Sequence, residues 1–559
     1  MKLLKNKGVL VLESEEQLFK ELQQQYYQAW FRFHPEKAVE VGVNDHASEL
    51  RSYADDDIGA LIALNQKLVS ALDEMSIGSL SEASQVDFKI LRAAAEIELH
   101  DIEERDWRFR DPSAYVPVNA IYQLLIYPVA EVHKPFKCRL QQFPEYLRGA
   151  KTQLSQFPEQ VVLIWLNAAV SECRSSIAFI RDMGRNPLFT HKFENPARLQ
   201  PLFEDAAHAL EDFARFLEVD IAPKAAGDFA CGEHRFNRLL NEKHFMETSA
   251  DAVLAFGEKL YKDCRQALLE QTKAMQADDD VEALLAKIQK QHPKAEQLLD
   301  TYRHRMMDSY EWWQKSGLLT MPKKQSLKVL GTPEFLRHMI PFAAYEPPQF
   351  SDPEQHGLYY VTTTTDEAAL AEHSVFSIDL TCAHEAFPGH HQQLVTENQS
   401  EPGYTRLLNA SASMYEGWAL YCEELSIEQG FLDKEEHRFM MLRDRSWRAL
   451  RIIIDVKLQT GQLSTEGAID LMVAELSFSR EQAEAEINWY SCSPTTPLCY
   501  AMGREMILQA RKVAQEQDGF DLKGFHDQLL SQGSIALPLV IQESMGDAVW
   551  QTVKGEMFA

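Results

Sequence analysis

Residues 380–393 read LTCAHEAFPGHHQQ, with His384, Glu385, His390 and His391 gathered round a Pro388–Gly389 break. Imidazoles that hold a metal, next to a carboxylate that takes a proton from water, are the composition of a hydrolytic zinc centre. The common arrangement, H-E-x-x-H, spaces its histidines four apart so that both lie on one helix face. Here Pro388 stands at that fourth position. On an undistorted helix His390 would lie on roughly the opposite side about 9 Å along, and His391 would return to the right face about 10 Å away. Neither could share a metal with His384 in that geometry. The break offers a remedy: Pro388 cannot donate to the His384 carbonyl and crowds it, and Gly389 accepts dihedrals closed to other residues. The expectation is a helix that begins before His384, bulges over 387–389 and resumes through His391, swinging His390 to the metal. The alternative makes His391 the second ligand.

A third ligand has to come from downstream. Residues 412–425, ASMYEGWALYCEEL, read as a helix carrying Glu416, and Pro402 and Gly403 break the chain between this helix and the first. His384, His390 and Glu416 leave a fourth position for water, the pattern of a catalytic zinc, so one Zn2+ per chain is expected. Glu385, beside a ligand, is the expected general base.

HEAFPGHHQQ at 384–393 and EGWALYCEEL at 416–425 resemble the two signature segments of the bacterial domain-of-unknown-function family numbered 885. Weaker similarity to that family runs in order through PEKAVEVGVNDHASELRSY, QFPEYLRGAKTQL, GLYYVTTTTD, TTPLCYAMGREMI and FHDQLLSQGSIALPLV. The family is grouped with the zincin metallopeptidases and is largely helical. The resemblance therefore implies metallopeptidase-type hydrolysis, with His384, His390 and Glu416 as ligands and Glu385 as base. It supplies no substrate. Cys382 and Cys499 are mild departures that leave the chemistry untouched.

With 559 residues, 45% of them hydrophobic and 10% aromatic, the chain is globular and able to bury a large core. A net charge of −28 without a long basic stripe argues against a nucleic-acid partner. It also disfavours anionic substrates if the cleft shares that sign. The cysteines are scattered with no C-x-x-C, which argues against a thiolate zinc knuckle or a disulfide framework. The opening MKLLKNKGVLVLESEE has too short an apolar run for a signal-peptide core, and no segment is apolar enough to span a membrane. A cytoplasmic enzyme acting on a peptide or small amide is expected.

Helical periodicity covers 14–31, 57–75, 81–106, 144–155, 158–184, 198–217, 233–241 and 244–276, with further helices up to 317. From about 318 the composition shifts to short β-branched and aromatic stretches parted by Pro and Gly, read as strands near 326–330, 338–345 and 357–363. Helices resume at 377–398, 406–429, 432–459, 465–476, 478–489, 498–516 and 535–549. The fold class is mainly α: a large superhelix-like helical body with a small β-sheet beside a zincin-like pair of active-site helices. Residues 1–317 are expected to form a scaffold and one side of a cleft, and residues 318–559 the catalytic region. An exposed edge strand of the sheet could pair with an extended peptide.

Other side chains compete for roles. Tyr500, in SPTTPLCYAMG, could donate a hydroxyl to the developing oxyanion. His391, if not a ligand, would orient a neighbour or hydrogen-bond the substrate. Tyr359 and Tyr360 fall on one strand and face opposite sides. His356, His373 and His526 are isolated, and Glu423, two turns beyond Glu416, is too far for the same metal. Two other functions use the same residues: an iron or manganese enzyme on a two-His, one-carboxylate site, and a non-catalytic helical binding protein. The adjacent Glu385 counts against redox chemistry.

Overall fold

The computed structural model describes residues 3–6, 9–12, 14–275, 280–337 and 340–558. Helices dominate, and a three-stranded sheet lies just before the helices that carry the histidines. The central strand, His356–Val361, runs parallel to Ser326–Gly331 and antiparallel to Ala343–Glu346. The strand expected at 338–345 is shorter, Ala343–Glu346, and positions 338 and 339 lie outside the described residues. A two-stranded pair, Leu3–Asn6 with Val9–Leu12, precedes the first helix.

Several helices begin where a serine supplies a side-chain acceptor. Ser374 and Ser411 cap the helices Val375–Glu385 and Ala412–Glu428, their hydroxyls accepting from Ser377 N–H and Ser413 N–H. Two of the expected helices around the histidines prove to be pairs. The stretch 406–429 divides into Tyr404–Leu408 and Ala412–Glu428, and 377–398 divides at the Pro-Gly break. In the opposite sense, His133–Leu154 is longer than expected and continues through Pro144. Its buried stripe of Phe136, Leu140, Phe143 and Leu147 packs into one apolar cluster on both sides of the proline, which holds the helix in line.

The largest core joins residues from both sides of position 318. Ile90, Phe236, Tyr302 and Trp313 pack in one cluster with Tyr359, Trp418, Met506 and Trp550. A second cluster, built on 115–221, takes in Phe335 and Tyr360. The central strand is thus buried on both faces. Tyr359 points to the main core, where its hydroxyl approaches Cys382 Sγ at 3.9 Å, and Tyr360 points the other way to hydrogen-bond Tyr122. Ala343–Glu346 remains an edge strand.

Candidate metal centre

The Val375–Glu385 helix ends at Glu385, the chain passes through Ala386–Gly389, and a new helix starts at His390. The interruption is wider than a bulge inside one helix. Phe387 N–H reaches back to the Cys382 carbonyl (3.2 Å), which Ala386 N–H also uses (3.0 Å). Pro388 has no N–H to continue the ladder, and the Phe387–Pro388 peptide is cis. Surrounding helices hold the freed carbonyls: Ser309 Oγ donates to that of Phe387 (2.6 Å) and Trp418 Nε1 to that of Pro388 (2.8 Å). Gly389 lies so close to the preceding helix that a Cβ would stand 1.8 Å from the His384 carbonyl oxygen. Its lack of a side chain is what the close approach requires.

This path brings the two imidazoles together, with ring centroids 4.8 Å apart and planes at 90°. Glu416, arriving on the Ala412–Glu428 helix, places Oε2 3.4 Å from His384 Nε2 and 3.5 Å from His390 Nε2. Ligand atoms at zinc-bond lengths in a tetrahedron lie about 3.3 Å apart, so the spacing fits an ion held between them. The three ligand atoms all lie within 4.8 Å of one another. Despite these short separations, Glu416 Oε2 is buried with no hydrogen bond. Atoms that converge without bonding one another suit a shared cation better than a pairwise network.

Glu423 completes the arrangement from behind. His384 Nδ1 donates to Glu423 Oε1 at 2.8 Å, which leaves Nε2 free to face the centre. The sequence reading set Glu423 aside as too remote. The signal for it was present: seven residues past Glu416 on one helix face, it meets the far nitrogen of the same ring. Glu385 is buried beside the cluster, its Oε2 4.0 Å from His390 Nε2. Burial raises its carboxyl above the ordinary range, against the opposing pull of His384 and His390. Burial also works against the charged forms of His384 and Glu416. The attraction between the charges wins: Glu416 and then Glu423 raise His384 to about 10, and His390 and then His384 pull Glu416 far below the carboxylate range.

His391 points away from the cluster. Its Nε2 donates to Gln325 Oε1 (2.8 Å) and the Tyr345 hydroxyl donates to its Nδ1 (2.9 Å). Burial lowers it to about 3, so the ring is neutral. Tyr345, on the edge strand, stacks on His390 with centroids 6.2 Å apart. Tyr500 lies beside Glu416: burial, then that carboxylate, push its hydroxyl well above the phenol range. The Arg451 guanidinium covers the Tyr500 ring at 4.6 Å. The other histidines stand elsewhere with partners of their own. His356 meets Asp352, His373 meets Tyr302, and His526 bonds Leu318 O and Tyr421.

A cavity of about 540 Å³ has Lys243, Asn409 and Ala410 in its wall but none of the three candidate ligand residues. Its lining comes from 51–245 on one side and 408–536 on the other.

The profile of a family described as "Bacterial protein of unknown function (DUF885)" matches residues 35–543. No curated protein matches the chain. Among solved structures, a candidate lipoprotein from Colwellia psychrerythraea superposes with a TM-score of 0.78 at 17% identity, covering 98% of this chain and 100% of its own. A candidate lipoprotein of unknown function from Shewanella oneidensis gives 0.75 at 20% identity, covering 94% and 99%. These likenesses show the fold alone. An M32 carboxypeptidase from Deinococcus radiodurans R1 overlaps at a TM-score of 0.43 and 11% identity over 97% of this chain and 99% of its own, too loosely to bear on the chemistry.

Proposed function

The chain belongs to the DUF885 family, and we propose that it is a zinc-dependent hydrolase that cleaves a peptide or small amide bond. The observation that carries this reading is the convergence of His384 Nε2, His390 Nε2 and Glu416 Oε2 with the buried Glu385 carboxylate beside them. A divalent cation on those three atoms would supply Lewis-acid polarisation of the scissile carbonyl and lower the pKa of water. Glu385 takes the proton of the attacking water on its carboxylate and passes it to the leaving nitrogen. Its raised affinity for a proton, caused by burial, suits that exchange. Glu423 holds His384 in the tautomer that presents Nε2. The Tyr500 hydroxyl donates to the oxygen that gains charge as the carbonyl is attacked. His391 fixes Tyr345 against His390, and the edge strand carrying Tyr345 offers pairing to an extended peptide.

A buried carboxylate poised as base favours hydrolysis over redox use of the same ligands. In this reading residues 1–317 are the scaffold and one wall of the cleft, and 318–559 carry the chemistry. Among the described residues no helix is long and apolar enough to cross a membrane. The cytoplasm is the proposed location, and cell fractionation tests it against the lipid-anchored state that the relatives' designation implies for them. Function is tested by elemental analysis followed by mass-spectrometric profiling of a diverse peptide mixture with the zinc-loaded chain. Expected are about one zinc per chain and cuts at defined positions relative to a terminus. Zinc bound without any cut peptide would overturn peptide hydrolysis.

A further inference from the structure

The interior of the 540 Å³ cavity does not share the sign of the chain, whose net charge is −28. Four acids line it, and each already has a partner of its own. Glu98 pairs with His34 (2.8 Å) and accepts from Asn65 (2.7 Å) and Trp30 (3.1 Å). Asp101 pairs with Arg235, and Glu242 with Arg238 at 2.7 Å. Asp111 is turned into its own loop, accepting from Ser113 N–H at 2.9 Å, and burial pushes its carboxyl up.

Four cations on the same wall have no such partner: among the described residues no carboxylate is in ion-pair contact with Arg51, Arg105, Arg110 or Lys243. Arg51 stacks on Trp107 at 4.3 Å. Arg105 spends its donors on the carbonyls of Phe229 (2.8 Å) and Ala230 (3.0 Å). Arg110 reaches only the Asp228 carbonyl, and its Nε is buried without a hydrogen bond. Lys243 has its side chain exposed to the cavity. Burial lowers Arg105 and Arg110 although Asp228 pulls both the other way, and Lys243 feels Asp101 and Asp455 without an ion-pair contact to either.

The Lys243 end of the cavity is linked through His244 to the helix that carries Glu416. His244 hydrogen-bonds Ser411 Oγ (2.8 Å), which caps the Glu416 helix, and Thr495 Oγ1 (3.0 Å), and its ring touches Cys499 Sγ at 3.6 Å. Cys499 precedes Tyr500, and its thiol feels the charges of both Lys243 and Glu416. We propose that this cavity receives a carboxylate of the substrate on Arg110 and Lys243, with Arg105 and Arg51 adding positive field, while the amide to be cleaved reaches the His384/His390/Glu416 centre. The assignment rests on the peptide-hydrolysis reading above. The fork of Arg110 suits a carboxylate's paired oxygens, and Lys243 adds a mobile point charge. A C-terminal carboxylate and an acidic side chain present the same group.

The test uses the full-length, zinc-loaded E385Q chain, so that probes are not consumed, and reads the fluorescence of the cavity tryptophans Trp107 and Trp165. The probes are acetyl-tetraalanine as free acid, the same peptide as its C-terminal amide, and an amide with one alanine replaced by glutamate. At least one carboxylate-bearing probe should bind about ten-fold or more tighter than the neutral amide. Preference for the free acid identifies the terminal carboxylate, and preference for the glutamate amide identifies a side chain. R110M/K243M should erase the difference with zinc content unchanged, and K243M alone, at an exposed side chain, should reduce it if the double variant folds poorly. Equal affinity for all three probes, or a preference unchanged in K243M, overturns the proposal. Wild-type turnover is scored separately: carboxylate-selective binding with no peptide cut overturns the hydrolase reading, whereas cutting with equal binding overturns only the cavity assignment.

Discussion

His384 is the side chain on which the centre turns, because its two nitrogens face two different carboxylates, Glu423 on Nδ1 and Glu416 on Nε2. Loss of either group should therefore act differently. His384→Ala and Glu416→Ala should each abolish zinc binding in elemental analysis, since each removes a ligand atom. Glu423→Gln keeps the shape and removes only the charge behind the imidazole, so zinc affinity should fall by about 10–100-fold with the fold intact, as read by competition with a chelator. Glu385→Gln should retain zinc while turnover drops by about two to four orders of magnitude. Loss of zinc from E385Q would exchange the roles of base and ligand. At this scale the sequence named His384, Glu385 and Glu416 because composition and spacing report directly on donor chemistry. Glu423 escaped because its use depends on which way one imidazole is turned.

Between the two histidine helices the decisive feature is a stretch without helical geometry. Pro388 and Gly389 announced a break, and the break is there, but as a full interruption between helices ending at Glu385 and beginning at His390. Its width is set by partners far away in sequence, Ser309 and Trp418, which take the carbonyls that the lost ladder frees. Gly389→Ala would put a Cβ 1.8 Å from the His384 carbonyl oxygen, forcing the helices apart. It should cost about 3 kcal/mol in denaturant unfolding and release the metal. The control is Gly59→Ala, inside the Asp55–Asp73 helix where a Cβ meets nothing within 4 Å. That change should be stabilising by about 0.5–1 kcal/mol through helix propensity.

Across the whole molecule the core runs through position 318, so both parts of the chain share one packed interior. Asp455 lies inside it, fully buried, accepting from Thr495 N–H and Leu498 N–H at 3.3 Å each. Burial raises its carboxyl to about 8 from the ordinary 3.8. The folded state then binds this proton more tightly than the unfolded one. The resulting stabilisation is complete below about pH 4 and is lost as pH rises through about 8. Asp455→Asn should accordingly melt a few degrees above the parent at pH 9, with the gap closing towards pH 4 in a thermal scan. A gap that widens on acidification would reverse the sign and sink the argument.

By itself the sequence determined the helical character of the chain, the small sheet before the histidines, and the identity of the converging donors. These follow from local quantities: periodicity, caps, the missing N–H of Pro388 and the spacing of His and Glu. It left His390 and His391 as rivals. Only the tertiary structure turned His390 towards Glu416 and packed His391 against Gln325 and Tyr345, 66 and 46 residues away. The cavity was equally out of reach, since its Lys243 end is built by His244 meeting Ser411 and Thr495 across 167 and 251 residues. The acidic composition led to an expectation that anions are disfavoured, which holds only if the cleft has the sign of the whole chain. Net charge is a sum over the chain, whereas the charge of a cleft depends on which acids already have partners, and pairing is decided only when distant helices pack.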